Sequence, residues 1–134
     1  MKVIPRNVHG ILDYAAGLLL AVSPWLFGFA DRGPATIIPV VLGLGALLYS
    51  LLTAYELGLV AAIPFRIHLV LDFISGLFLL VSPWLFHFSD RVYLPHVIFG
   101  LLEIGVVLLT RADPSPVAVA SPGASGDRGL DTHL

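Results

Sequence analysis

The stretch HGILDYAAGLLLAVSPWLFGFADR, residues 9–32, returns as HLVLDFISGLFLLVSPWLFHFSDR at residues 68–91, and the two copies align without a gap. Each copy carries a histidine, an aspartate four residues later, a glycine, and Ser-Pro-Trp near its end. Downstream, Gly43 matches Gly100, and the Leu-Leu-Thr that ends at Thr53 matches the one that ends at Thr110. Internal similarity of this length indicates two tandem structural units.

The composition is typical of a membrane protein. Hydrophobic residues make up 57 % of the 134-residue chain and charged residues 12 %, about half of the roughly 25 % found in soluble domains. The mean hydropathy is +0.94. A net charge of −2 provides no basic surface for nucleic acid. The absence of cysteine excludes disulfides and thiolate metal sites.

Four apolar stretches predict the fold. They cover residues 8–30, 35–55, 67–89 and 92–110, each close to the ~20 residues that cross a bilayer as a helix. We therefore expect an all-α bundle of four transmembrane helices, built from two tandem helical hairpins over residues 4–56 and 63–112. Because each unit has two spans, both enter the membrane in the same direction, and a pseudo-twofold axis along the membrane normal should relate them.

The flanking segments predict the orientation. Residues 113–134 are rich in Ser, Pro and Gly, which favours a flexible tail after a transmembrane domain of residues 1–112. The N-terminus, the middle connection and the tail share one side of the membrane, and that side holds most of the basic residues. It has Lys2, Arg6, Arg66, Arg111 and Arg128, against Arg32 and Arg91 on the other side. The predicted orientation has both termini in the cytoplasm.

Ser23-Pro24-Trp25 and Ser82-Pro83-Trp84 have an architectural explanation. A proline inside a helix leaves the carbonyl four residues back without its hydrogen bond, here that of Leu20 or Leu79. The neighbouring serine can supply the missing donor in lipid, and the tryptophans can anchor at the interface. A helical wheel puts Ser23, Pro24 and Phe27 on the bundle face, as it does Ser82, Pro83 and Phe86, with Trp25 and Trp84 opposite.

These features resemble the SPW-repeat family of small bacterial membrane proteins. Its signature is Ser-Pro-Trp in the first of two transmembrane helices per repeat, and the resemblance covers nearly all of residues 4–112. It implies the four-helix topology and a location in the bacterial cytoplasmic membrane, and it brings no particular activity.

Polar residues within the helices are the candidate functional site. Histidine and aspartate four residues apart meet on one helix face, and the pseudo-twofold would bring the two pairs together. A third intramembrane carboxylate replaces Ala46 of the first unit. The predicted polar cluster is His9, Asp13, His68, Asp72 and Glu103. His87 and His96 are expected near the outer interface, and Asp31-Arg32 and Asp90-Arg91 as solvated helix-end pairs.

Three functions are open at this point, and no cofactor is expected. The residues favour a non-enzymatic structural or partner-binding membrane subunit, whose partners are the lipid bilayer and a second copy or another membrane protein. A proton- or ion-coupled channel or transporter subunit could instead use the intramembrane carboxylates. A metal-binding protein could use the His/Asp set. An enzyme is disfavoured because Ser23 and Ser82 lie far along their helices from His9 and His68.

Overall fold

The computed structural model describes residues 1–112, so the tail predicted for residues 113–134 lies outside the described part. Within that part the chain is all-helical, without an extended strand. The helices are α1 (Arg6–Leu26), α2 (Pro34–Leu51), α3 (Phe65–Leu85) and α4 (Leu94–Leu109). Helix α1 packs mainly on α2, and α3 packs mainly on α4. The two hairpins of the sequence repeat are therefore the two packing units of the fold.

The first helix of each repeat ends earlier than its apolar stretch predicts, at Leu26 and Leu85 instead of residues 30 and 89. The cause lies just after Ser-Pro-Trp. Gly28 and His87 adopt positive φ values of 71° and 56°, a left-handed conformation that commonly ends a helix. The amides of the next two residues then turn back to the carbonyl oxygen of Pro24 or Pro83, all at 2.9 Å. Ser-Pro-Trp thus forms the last helical turn.

The second helix of each repeat is also shorter than predicted. Helix α2 ends at Leu51 instead of residue 55, and α4 covers Leu94–Leu109 instead of residues 92–110. After α2 the chain folds back on itself, because the amides of Ala62 and Ile63 donate to the carbonyl of Leu52. The apolar composition of these segments continues through the turns, so the sequence pattern overestimates the helix length.

Each hairpin is held by a close contact between two glycines. A Cβ atom on Gly43 would lie 2.6 Å from the carbonyl oxygen of Gly17, and one on Gly100 would lie 2.7 Å from that of Gly76. Both are shorter than any contact a side chain tolerates, and the obstructing atoms are backbone. The spacing of small residues that the two repeats share therefore sets how closely the helices approach.

The interior has two different ends. Where α1 and α3 finish and α2 begins, a hydrophobic core consists of Leu20, Ala35, Ile38, Leu79 and Phe88, and Ser23, Ser82 and His96 are buried beside it. Where α1 and α3 begin, the fully buried side chains are polar and include His9, Thr53, His68 and Thr110. Large apolar residues cover the outside instead: Leu18, Leu44, Ile74 and Leu101 are each more than half exposed. This inside-out distribution suits a lipid environment.

Two of the four helices are long and apolar enough to cross a membrane by length and composition. They are Pro34–Leu51 and Phe65–Leu85, each with a mean hydropathy of 1.8. Helix α4 is apolar but shorter, with 16 residues. Helix α1 has the length of α3 but carries Arg6, Asn7, His9 and Asp13. The all-helical fold is confirmed, and the count of four spans stays a prediction.

Candidate functional site

The N-terminal halves of α1 and α3 bring four of the predicted site residues into one buried cluster. His9 Nε2 lies 3.2 Å from Asp13 Oδ1 and 3.0 Å from Asp72 Oδ2. His68 Nε2 lies 2.8 Å from Asp13 Oδ2 and 3.1 Å from Asp72 Oδ2. Each imidazole thus contacts the aspartate of its own helix and that of the other repeat. We call these four side chains the His₂Asp₂ cluster.

Two threonines fix the protonation of the imidazole nitrogens that face away from the carboxylates. The hydroxyl of Thr53 donates to the carbonyl of Tyr49 at 2.6 Å, and that of Thr110 donates to Val106 at 2.6 Å. Each hydroxyl has one proton, which these bonds use. His68 Nδ1 and His9 Nδ1, at 2.8 Å and 2.7 Å from the two hydroxyls, must therefore be the donors.

The protonation of both Nδ1 atoms determines how many further protons the cluster needs. With Nδ1 protonated, the Nε2 atom of each neutral ring is an acceptor, and so is an ionised carboxylate. A hydrogen bond between them needs a proton on one side or the other. Two protons shared among two imidazoles and two carboxylates satisfy both rings, and they also make the cluster neutral, which lowers the cost of burying it.

Aromatic rings hold the two imidazoles in place. Phe65 stacks on His68 with ring centres 5.7 Å apart, and it meets His9 edge-on at 5.6 Å. Tyr49 contacts the His68 ring at 5.1 Å, while its hydroxyl donates to Asp72 Oδ1 at 2.5 Å. The guanidinium of Arg6 lies over the outer face of Phe65 and bonds to the carbonyl of Ala54. The cluster is therefore packed against aromatic rings on more than one side.

Glu103, the fifth predicted member, does not join these hydrogen bonds. Among residues 1–112 it has no hydrogen-bond or ion-pair partner, and its carboxylate side chain lines a cavity of about 250 Å³ beside the cluster. The same cavity reaches His9, Asp13 and Asp72, and extends past partly exposed leucines to the outer surface between α1 and α4. Its walls are otherwise apolar, so Glu103 is a polar group next to the cluster and not part of it.

The serines of both Ser-Pro-Trp motifs make the bonds that the sequence predicts. Ser23 Oγ donates to the carbonyl of Leu20 at 2.7 Å, and Ser82 Oγ donates to that of Leu79 at 2.8 Å. Trp25 and Trp84 are 63 % and 53 % exposed, which agrees with lipid-facing rings. The prediction for Phe27 and Phe86 is wrong. Both are exposed, because they follow the last helical residue and turn away from the bundle.

The other end of the bundle departs from the sequence-based expectations. Asp31 does not pair with its neighbour Arg32 but with Arg91 of the second repeat. The amide of Gly33, the hydroxyl of Thr36 and the Arg91 guanidinium together hold the pKa of Asp31 below its usual value. His96 is not exposed at this end: it is 1 % exposed, and its Nε2 donates to the carbonyl of Ala35 at 3.0 Å.

Three residues that matter in the cluster escaped the sequence analysis as site residues. Thr53 and Thr110 carry a usable signal, since both end the repeated Leu-Leu-Thr, and each accepts from the histidine of the other repeat. Tyr49 carries none, because Val106 occupies the equivalent position in the second repeat. Only the packing of α2 on α3 reveals its role.

The SPW repeat domain matches residues 7–110 of the chain. The chain belongs to the SPW repeat family. Together with the apolar helices, membership identifies a membrane protein. No curated protein and no solved structure matches the sequence. The family match covers the Ser-Pro-Trp turns and the His₂Asp₂ cluster alike, so both belong to the repeat and not to an appended segment.

Proposed function

We propose that this SPW repeat protein is a non-enzymatic, four-span protein of the bacterial cytoplasmic membrane that acts as a structural or partner-binding subunit. The observation that carries the proposal is the closure of the His₂Asp₂ cluster. Its imidazole nitrogens and carboxylates bond to each other, to two threonines and to Tyr49. Buried polar groups that satisfy one another in this way join the two hairpins.

The serines support the non-enzymatic assignment. Ser23 and Ser82 are fully buried and donate to carbonyls of their own helices, whereas both cluster histidines lie at the opposite ends of α1 and α3. A nucleophile needs a base within hydrogen-bond reach. The role assigned to these serines is to pair the carbonyls that Pro24 and Pro83 leave without a hydrogen bond.

Association can be tested in native membranes. A photo-crosslinking residue placed at the lipid-facing positions Leu18, Leu44 or Leu101 should yield a discrete crosslinked product at one or two of them, and Leu79, fully buried, serves as the control position. Isolated monomers at every exposed position would count against a subunit role.

The topology can be tested separately, because the natural chain has no cysteine. Lys2→Cys and Ala61→Cys should be shielded from a membrane-impermeant thiol reagent added to spheroplasts, and Arg32→Cys should be labelled. All three positions are exposed on the protein. Labelling of Lys2→Cys from outside would refute cytoplasmic termini.

Glu103 favours a second candidate, a proton- or ion-coupled subunit. Its unpaired carboxylate faces a cavity that touches the His₂Asp₂ cluster. The geometry supports this less, because the cavity opens sideways between α1 and α4 while Leu20, Ile38, Leu79 and Phe88 fill the other half of the bundle. Proton or ion flux measured in proteoliposomes tests this candidate. A flux that falls in both Asp72→Asn and Glu103→Gln supports transport, and an unchanged or absent flux refutes it.

A further inference from the structure

The His₂Asp₂ cluster has the composition of a metal site. It presents two imidazole nitrogens and two carboxylates from two helices, a donor set that suits Zn²⁺ and neighbouring first-row divalent ions. One donor atom of each residue lies within 4.8 Å of the other three. We propose that His9, Asp13, His68 and Asp72 bind one divalent transition-metal ion, with zinc the best match.

The distances fit tetrahedral coordination. Ligands 2.0–2.1 Å from a zinc ion are separated by about 3.3 Å along each edge of the tetrahedron. Asp72 Oδ2 lies 3.0 Å from His9 Nε2 and 3.1 Å from His68 Nε2, and Asp13 Oδ2 lies 2.8 Å from His68 Nε2. The widest separation, no more than 4.8 Å, exceeds the tetrahedral edge by up to about 1.5 Å, so binding needs a modest inward adjustment of the side chains.

The surrounding contacts are those that a metal site requires. A metal-bound histidine donates its second ring nitrogen to an acceptor that fixes the ring orientation. Thr110 and Thr53 accept from His9 Nδ1 and His68 Nδ1. Both Nε2 lone pairs therefore point toward the carboxylates. Tyr49 orients Asp72 in the same manner by donating to its outer oxygen.

Charge also fits. A divalent ion with two carboxylates and two neutral imidazoles forms a neutral unit, which avoids the cost of a net charge within the bundle. The ion replaces the two protons that hold the cluster together in its absence. Binding therefore releases about two protons per ion to solvent, with ligand bonds taking the place of the hydrogen bonds.

The cavity between α1 and α4 adjoins the cluster on one side. It reaches His9, Asp13 and Asp72, and Glu103 is the carboxylate along its wall. Glu103 makes no hydrogen bond to the four side chains and is not one of the proposed ligands. On the α2–α3 side, the Tyr49 hydroxyl donates to Asp72.

The test uses the full chain in lipid nanodiscs, stripped with a chelator and then exposed to ZnCl₂ or CoCl₂. After desalting, elemental analysis should find one ion per chain, and Co²⁺ should show the intense visible absorption of a tetrahedral site. Asp13→Asn combined with Asp72→Asn should lower the metal content about tenfold or more. The matched control His87→Gln, at an exposed histidine outside the cluster, should retain it.

Two further measurements keep the test decisive if the double variant does not fold. Wild-type protein should unfold at a higher temperature with Zn²⁺ than with Mg²⁺, since binding to the folded state stabilises it. Glu103→Gln should leave one ion per chain, because Glu103 is not one of the four ligands. Sub-stoichiometric metal, octahedral Co²⁺ spectra or equal content in the double variant would overturn the metal site. These results would leave the proposed subunit role intact, because crosslinking tests that role independently.

Discussion

The two repeats are alike in their first helices and different in their second. Helices α1 and α3 carry the same histidine, aspartate, glycine and Ser-Pro-Trp, and the hydrogen bonds of these residues in one repeat have counterparts in the other. Helices α2 and α4 differ at two positions that face the cluster. Tyr49 has Val106 as its counterpart, and Ala46 has Glu103.

The residues that the repeats share join the two hairpins, and the residues that they do not share determine where a cavity lies beside the cluster. The shared residues build a joint in which each imidazole contacts the aspartate of the other repeat. The unshared residues fill one side with the Tyr49 ring and leave a cavity on the other, where Val106 is too small to fill the space. The duplicated hairpin thus gives a nearly symmetrical His₂Asp₂ cluster with a cavity on one side only.

The largest loss of stability should come from replacing the more buried carboxylate of the His₂Asp₂ cluster. Asp72 is 4 % exposed in its side chain and Asp13 is 11 % exposed, and only Asp72 receives the Tyr49 hydroxyl. We expect Asp72→Asn to lower the free energy of unfolding by about 3 kcal/mol, and Asp13→Asn by about half of that. Reversible unfolding in mixed micelles measures both, and equal losses would contradict the asymmetry.

The glycine contacts should respond alike in both repeats. Gly43→Ala and Gly100→Ala would push a methyl group into backbone atoms at 2.6 to 2.8 Å, at an expected cost of about 2 to 3 kcal/mol each. Gly45→Ala is the control, because nothing lies within 4 Å of the position that its Cβ atom would take, and it should be neutral or slightly stabilising. The same unfolding assay compares them; a harmless Gly43→Ala would show that the helices are further apart.

Substitutions at Tyr49 and at its counterpart Val106 test the difference between the two repeats. Tyr49→Phe removes one hydrogen bond to a carboxylate and should cost about 1.5 to 2 kcal/mol. Val106→Phe tests the opposite side, where a ring can enter the cavity and should lower the stability by less or raise it. Thermal unfolding of the two variants, measured against wild type, gives the order of their stabilities. A greater loss of stability in Val106→Phe than in Tyr49→Phe would show that the cavity does not lie beside Val106.

The two serines should give smaller and matched effects. Ser23→Ala and Ser82→Ala each remove a single bond to a carbonyl that proline leaves unpaired, at an expected cost of about 0.5 to 1.5 kcal/mol. Ser23→Thr and Ser82→Thr retain the hydroxyl and serve as the controls in the same unfolding assay. Losses that differ strongly between the repeats would contradict their equivalence at this end.

The smallest effect should lie at the Asp31–Arg91 pair, which joins the repeats at the other end. The pKa of Asp31 is lowered in the folded protein, so its contribution is present above about pH 4 and is lost as the pH falls through the folded value. Asp31→Asn should therefore lower the melting temperature slightly at pH 7 and make no difference once the pH lies below the folded pKa. A difference that persists at that acidic end would assign the effect to another cause.

Much of this arrangement follows from the sequence alone. The repeated spacing of His9 and Asp13 with His68 and Asp72 predicts their meeting, because a twofold exchange puts equivalent helix starts side by side. The bond from Ser23 to Leu20 follows from proline chemistry. The contact of each histidine with the aspartate of the other repeat does not follow, since periodicity describes the face of one helix and not its crossing partner.

Other features depend on tertiary packing. The sequence places His96 near the start of α4 but does not show that its ring packs against Phe29 and Phe88. Arg91 bonds to Asp31 across the repeats because the two connections meet at the same end of the bundle. The helix ends at Leu26 and Leu85 depend on left-handed residues, one of which is His87 and gives no glycine signal.

The central claim is that the two repeats are joined through exchanged histidine–aspartate contacts. A double-mutant cycle on the full chain, with His9→Gln and Asp72→Asn measured singly and together, tests it directly. The account predicts a coupling energy of about 1 to 3 kcal/mol between these residues of different repeats. Additive losses, with coupling below about 0.3 to 0.5 kcal/mol, would contradict it.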